Sequence, residues 1–105
     1  MTKELGNLDA LDPTIHEPAR LMILTALYPV EKMEFLRIQR EWNFKQGNLS
    51  SHLKKLEKVG YVAVEKTFKG KYPQTWCSIT KKGRNALYDY SQLLKSVFGT
   101  TRPCK

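Results

Sequence analysis

Hydrophobic positions recur along this chain with two periods, and the change between them predicts where its elements lie. Upstream, Asp12-Pro13 reads as a helix start, since Asp caps free amides and Pro is harmless at the first helical position. Pro18 then kinks or restarts that helix, because it has no N–H to donate one turn back. From 19 to 28, Leu21, Ile23, Leu24 and Leu27 give a mostly buried helix, ended at Tyr28-Pro29 because the residue before proline avoids helical angles. A second, short helix from about 35 to 42 carries Phe35, Ile38 and Trp42 along one side, and 43–45 make a turn. A third runs from about 46 to 59. At about 100° per residue, Leu49, Leu53, Leu56 and Gly60 fall on one side, and Ser50, Ser51, Lys54, Lys55 and Lys58 on the other. Gly60 closes this helix.

The period then drops to two. Residues 61–67 form a strand with Val62 and Val64 facing the core, and 75–79 a second with Cys77 and Ile79 facing it. Between them lies FKGKYPQ, whose Gly70 and Pro73 mark a hairpin connection longer than a two-residue turn. Thr80 caps a last helix of roughly 81–98, on which Leu87, Tyr90, Leu94, Val97 and Phe98 recur every three or four residues.

The order helix, helix, helix, strand, basic loop, strand, helix predicts an α+β, mostly helical fold. It is a winged helix-turn-helix with a two-stranded wing and a C-terminal dimerisation helix. Residues 1–11 read as a flexible N-terminal arm, 12–80 as the winged domain, 81–99 as the dimerisation helix and 100–105 as a tail. The last helix follows a complete domain and still carries a long apolar stripe, so Leu87, Tyr90, Leu94, Val97 and Phe98 are assigned to a dimer interface. The alternative is packing against the domain's own body.

Composition narrows the function. A chain of 105 residues with 41% hydrophobic side chains suits one globular domain. Its longest apolar run, LMILTALYPV, is too short to span a bilayer, and MTKELGNLDALD has no signal-type apolar region. Cys77 and Cys104 are too few for a disulfide scaffold and read as reduced thiols of a cytoplasmic protein. Net charge is +8, unevenly placed: residues 45–82 hold nine lysines against Glu57 and Glu65, whereas residues 1–44 are slightly acidic. Such a concentrated field attracts a polyanion or an acidic surface.

On this reading the leucines seat the third helix so that its opposite side enters a DNA major groove. Ser50, Ser51, Lys54, Lys55 and Lys58 then meet phosphates or base edges; a solvated helix face is the plain alternative. Gln46 and Asn48 stand where side chains reach base edges in such a motif, or else they cap the helix locally. Lys66, Lys69 and Lys71 project from the wing toward phosphate. His52, at the edge of the apolar face, reads as a packed structural histidine; with only His16 for company it does not suit a metal site. Arg20 pairs with a carboxylate such as Glu17, and Trp76 either covers the back of the wing or meets another chain.

The segments DPTIHEPARLMIL, FLRIQREW, QGNLSSHLKKLEKVGYV and ITKKGRNAL together resemble the compact winged-helix transcriptional regulators related to the MarR and ArsR families. The resemblance implies a cytoplasmic, homodimeric, prokaryotic DNA-binding protein whose terminal helices form the dimer interface. It implies too that the third helix reads bases and the wing contacts backbone or minor groove. Three positions depart from the pattern. Lys45 stands where relatives have a Thr or Ser cap, a loss of about 1 kcal/mol that a phosphate contact would offset. Tyr72 and Gln74 lie where the wing often has arginines, and FLRIQREW lacks the paired cysteines of metal sensors.

The expectation is therefore a double-stranded DNA-binding regulator, homodimeric on a pseudo-palindromic site, with no cofactor, no metal and no membrane partner. No Ser/His or Cys/His arrangement, phosphate loop or carboxylate pair points to an enzyme. The alternative is a winged-helix adaptor with an acidic protein partner. An effector has no separate domain to bind, so a signal would enter through a dimer cleft, a cysteine or a partner.

Overall fold

The computed structural model describes residues 10–100. Asp12-Pro13 does not start a helix. Asp12 instead closes a turn on itself: its Oδ1 accepts from Thr14 N at 2.9 Å, and its carbonyl accepts from Ile15 and His16. An Asx turn satisfies the same amides a helix would have needed. The first helix, α1 (Pro18–Leu27), begins at the second proline, with Glu17 as N-cap accepting from Ala19 N at 2.6 Å. Pro18 thus restarts the chain as a helix rather than kinking one.

A two-residue strand, β1 (Met33–Glu34), precedes α2 (Phe35–Glu41). The sequence pattern gave no sign of β1, since two residues carry no period. Asn43, with φ 54°, turns the chain between α2 and α3 (Gln46–Lys58). Val59, Gly60 and Tyr61 close α3 in a Schellman arrangement: Gly60 N donates to Glu57 O and Tyr61 N to Leu56 O, both at 2.9 Å, with Gly60 at φ 85°.

Strands β2 (Val62–Lys69) and β3 (Tyr72–Ile79) are longer than their apolar pattern predicts. They pair antiparallel from Val62↔Ile79 to Lys69↔Tyr72, leaving only Gly70 and Lys71 as the turn. This corrects the expected longer connection. Gly70 at φ 65° fits the Gly-first, two-residue hairpin whose twist suits the strands, and Pro73 lies within β3. The sheet order is β1-β3-β2, with Met33↔Cys77 and Glu34↔Trp76 pairing β1 to β3.

Helix α4 (Lys81–Thr100) is capped by Thr80, as expected: Thr80 Oγ1 accepts from Gly83 N at 2.9 Å and donates to Gly60 O at 2.6 Å. One core gathers Ile23, Leu24 and Leu27 of α1, Ile38 of α2, Leu49, Leu53 and Leu56 of α3, and Val62, Cys77 and Ile79 of the sheet. Each fully buried leucine contributes about 1.5–3 kcal/mol, which is what holds α3 to the body. Of the predicted arm, residues 1–9 lie outside the described residues, while Leu11 is already in the core, as is Ile15 just after it. The predicted tail, with Cys104, is also outside them.

Candidate nucleic-acid interface

Burying Leu49, Leu53 and Leu56 turns the rest of α3 outward and splits its candidate residues into two sets. Lys45, Asn48, Ser51, Lys55 and Lys58 lie on the exposed crest and the flank away from the wing. Gln46, Ser50 and Lys54, one turn apart, form a wall facing the hairpin, with Ser50 half-buried. Across from them stand Val64, Lys66, Pro73, Gln74 and Thr75, and the two walls enclose a groove of about 470 Å³. The groove is not uniformly basic. Glu34 and Glu57 line it beside Lys54 and Lys66, so the side of α3 nearest the wing is electrostatically mixed and the crest carries the net positive charge. Lys69 ends β2 and Lys71 lies in the hairpin turn, both exposed and outside this groove.

Among the described residues, no ion pair engages Lys45, Lys54, Lys55, Lys58, Lys66, Lys69 or Lys71. Their charge is therefore directed to solvent rather than neutralised within the fold. Lys45 occupies the N-cap of α3 without a side-chain hydrogen bond to the helix, as the residue type requires. The first amides of α3 are left for an external acceptor.

A polar cluster fixes α3 against α1. Arg20 Nε donates to Thr14 O at 2.6 Å, and its Nη1 lies 3.7 Å from Glu17 Oε2 and 3.3 Å from His52 Nδ1. His52 Nδ1 is also 3.4 Å from Glu17 Oε2. Arg20 thus pairs with Glu17 as expected, and His52 is a structural histidine held by Arg20 of α1 and by its N-cap Glu17. Trp76 lies on the back of the sheet, away from Cys77, with Lys32 Nζ 4.6 Å from its ring centroid. Cys77 is fully buried and its thiol is pushed up to about 11, by loss of hydration first and by the negative charge of Glu57 second. A signal entering through Cys77 is therefore disfavoured: the thiolate is suppressed and the sulfur is out of reach.

The residues assigned to dimerisation do not share one environment. Tyr90 is buried in the chain's own core, its hydroxyl 2.9 Å from His16 Nδ1. Leu87 and Leu94 are half-buried and line an apolar groove of about 710 Å³ between α1 and α4, opposite Leu21, Tyr28 and Pro29. Val97 is buried and Phe98 is 66% exposed. Arg84 closes one end of this region, donating from Nη1 to Tyr28 O at 2.8 Å with its guanidinium 4.9 Å from the Tyr28 ring centroid.

A family model described as a winged helix DNA-binding domain matches residues 19–98. The chain belongs to that family. The match runs from α1 almost to the end of α4, so the winged helix includes the long terminal helix as well as the hairpin. An uncharacterized protein of Methanocaldococcus jannaschii is 41% identical in an alignment 83 positions long that covers 74% of this chain and 89% of that one. A transcriptional regulator homologue from Pyrococcus horikoshii superposes with a TM-score of 0.86 at 30% identity, covering 96% of this chain and 99% of the other. Bacillus subtilis PadR, solved in complex with operator DNA, superposes with a TM-score of 0.64 over 88% of this chain and 61% of its own, and its 19% identity shows a shared fold. The winged-helix architecture and the resemblance to winged-helix regulators are thus borne out.

Two features of the winged helix escaped the sequence reading. The acids in the groove come from separate elements, α2's approach and the far turn of α3, and only folding brings them together. The wing's aromatics, Phe68 and Tyr72, are 75% and 77% exposed. The run FKGKY held the signal: aromatic side chains interleaved with lysines around a glycine turn, on strands too long for the core to cover.

Among the described residues there is no group of three or more side chains suited to a metal ion, and no helix long and apolar enough to cross a membrane.

Proposed function

We propose that this winged helix is a cytoplasmic, sequence-specific regulator of transcription that binds double-stranded DNA as a homodimer on a pseudo-palindromic site. One observation carries the reading. The lysines of α3 and of the wing are exposed and, among the described residues, free of ion pairs, on a helix that its own leucines anchor with the basic side out. A helix of that kind fits a major groove about 12 Å wide. Lys45, Lys54, Lys55 and Lys58 supply phosphate contacts, and the open amides at the start of α3 suit a phosphate oxygen. Gln46, Asn48, Ser50 and Ser51 are the candidates for base edges. Lys66, Lys69 and Lys71 carry the contact to the wing side.

Leu87, Leu94 and Phe98 offer apolar surface along α4 for a second copy, with Tyr90 and Val97 stiffening the helix from within. A two-fold dimer places its recognition helices about 34 Å apart, which requires repeated half-sites. The PadR complex with operator DNA supports the fold's use on duplex DNA.

The test is selection from random duplexes, run with light scattering on the eluting protein. The expected outcome is a two-fold related motif, a dimer mass, and affinity that falls about 10³-fold or more between roughly 50 and 200 mM salt if six or more phosphates are engaged. K54A/K55A should weaken every duplex, and N48A should erode preference for the selected one. Equal affinity for heparin and duplex, unchanged in K54A/K55A, would instead favour an adaptor for an acidic protein.

A further inference from the structure

The wing presents an apolar ridge that nothing else in the described structure covers. Strand alternation puts Val62, Val64, Lys66 and Phe68 on one face of β2, opposite Ile79, Cys77, Thr75 and Pro73 of β3. The first two pairs are in the core or at its edge, Lys66, Thr75 and Pro73 line the groove beside α3, and Phe68 stands beyond that groove. Phe68 is 75% exposed and Pro73 is exposed too. Four residues of strand carry Phe68 about 13 Å past Val64, a reach comparable with the width of a major groove, about 12 Å. Lys66, Lys69 and Lys71 surround the ridge, and no acidic residue lies between 66 and 80.

We infer that the Phe68–Pro73 pair is an apolar wedge for the minor groove of duplex DNA, and that the protein bends its target there. The inference rests on the DNA-binding reading above and adds the residues, the apolar contact and the deformation. Phenylalanine and proline are side chains that enter a minor groove and part a base step, and they leave water in doing so. The lysines match the phosphates on either side of that groove, and an acidic protein surface would offer no slot for the ridge between them. Pyrimidine–purine steps unstack most readily, so the selected site carries one where the wing lands, outside the positions read by α3.

The experiment uses the duplex selected above, labelled at both ends with a fluorescence energy-transfer pair, and the full chain as wild type, F68A, F68L and K66A. Wild type draws the ends together. F68A binds about tenfold more weakly or worse and leaves the duplex straighter, with the slope of affinity against salt unchanged because no charge is lost. F68L keeps an apolar wedge and restores most of the bend, whereas K66A lowers the salt slope by about one unit and keeps it. Because Phe68 is exposed, the melting temperature of F68A matches wild type, which separates contact from folding. Wild-type affinity and bending in F68A would overturn the wedge and leave the DNA reading standing. So would loss of self-association in F68A with DNA binding intact, which would assign the ridge to a protein contact. Failure of the wild type to bind any duplex at low salt would remove both.

Discussion

Replacing Gly83 by alanine sets two well-known effects against each other at one position. Gly83 lies in the first turn of α4, buried against the backbone that leaves α3. Helix propensity alone favours the substitution by about 1 kcal/mol. The packing forbids it: an added Cβ would lie 2.2 Å from the Tyr61 carbonyl oxygen, 2.9 Å from its carbon and 3.0 Å from Ile79 Cγ1. Relief needs a shift of more than about 1 Å, since carbon and oxygen pack no closer than their van der Waals contact. Tyr61 has little freedom to give that shift. Its N–H closes α3 on Leu56, its carbonyl accepts from Thr80 N at 3.0 Å, and its hydroxyl donates to Asp12.

Overpacking of this kind costs about 1–3 kcal/mol, and displacing the Tyr61–Thr80 hydrogen bond adds about 1. Set against the propensity gain, G83A should lose about 1–3 kcal/mol. For a domain of this size that is a fall in melting temperature of about 5–20 °C, measured by circular dichroism at fixed protein concentration. A melting temperature equal to or above wild type would refute the reasoning, because it would mean that α4 is not seated on Tyr61 and that glycine there is only an entropic burden.

Three further outcomes follow from the same geometry. K45T gives α3 the side-chain cap it lacks, so stability rises by about 1 kcal/mol in urea titration while duplex affinity falls; a gain in both would sink the phosphate role of Lys45. In a C104S background, Cys77 should resist a disulfide reagent at pH 8 until the protein is unfolded, since burial pushes its thiol up to about 11; rapid labelling of the native state would contradict this. Burial, and then the hydrogen bond and charge of Asp12, push the Tyr61 hydroxyl up to about 12. A group raised in the fold binds its proton more tightly there, so its contribution is complete below pH 10 and is lost as pH rises toward 12. Y61F should flatten the alkaline limb of the stability curve, and an identical limb would show that the Asp12 contact does not persist in solution.

Much of this molecule was legible in one dimension because its determinants are local. Leucines one turn apart and a closing glycine specify α3 and which side of it is buried, and Thr80 before a helical stripe specifies where α4 begins. The basic crest then follows, since the side opposite the leucines must face out. Other features have causes far away in sequence. β1 exists only because β3 offers it a partner, and Asp12-Pro13 turns rather than winds because Ile15 is held in the core and Glu17 caps the helix that starts at Pro18. Tyr90 and Phe98 carry the same helical period, yet one is bonded to His16 and the other is bare, a distinction made by the side of α4 on which each stands, since Val97 next to Phe98 is buried. Phe68 shows it most simply: its alternation marks it for the core, but β2 outruns the helices that would have covered it. Periodicity reports which direction a side chain faces. Only the packed chain decides whether protein, water or a partner is there to meet it.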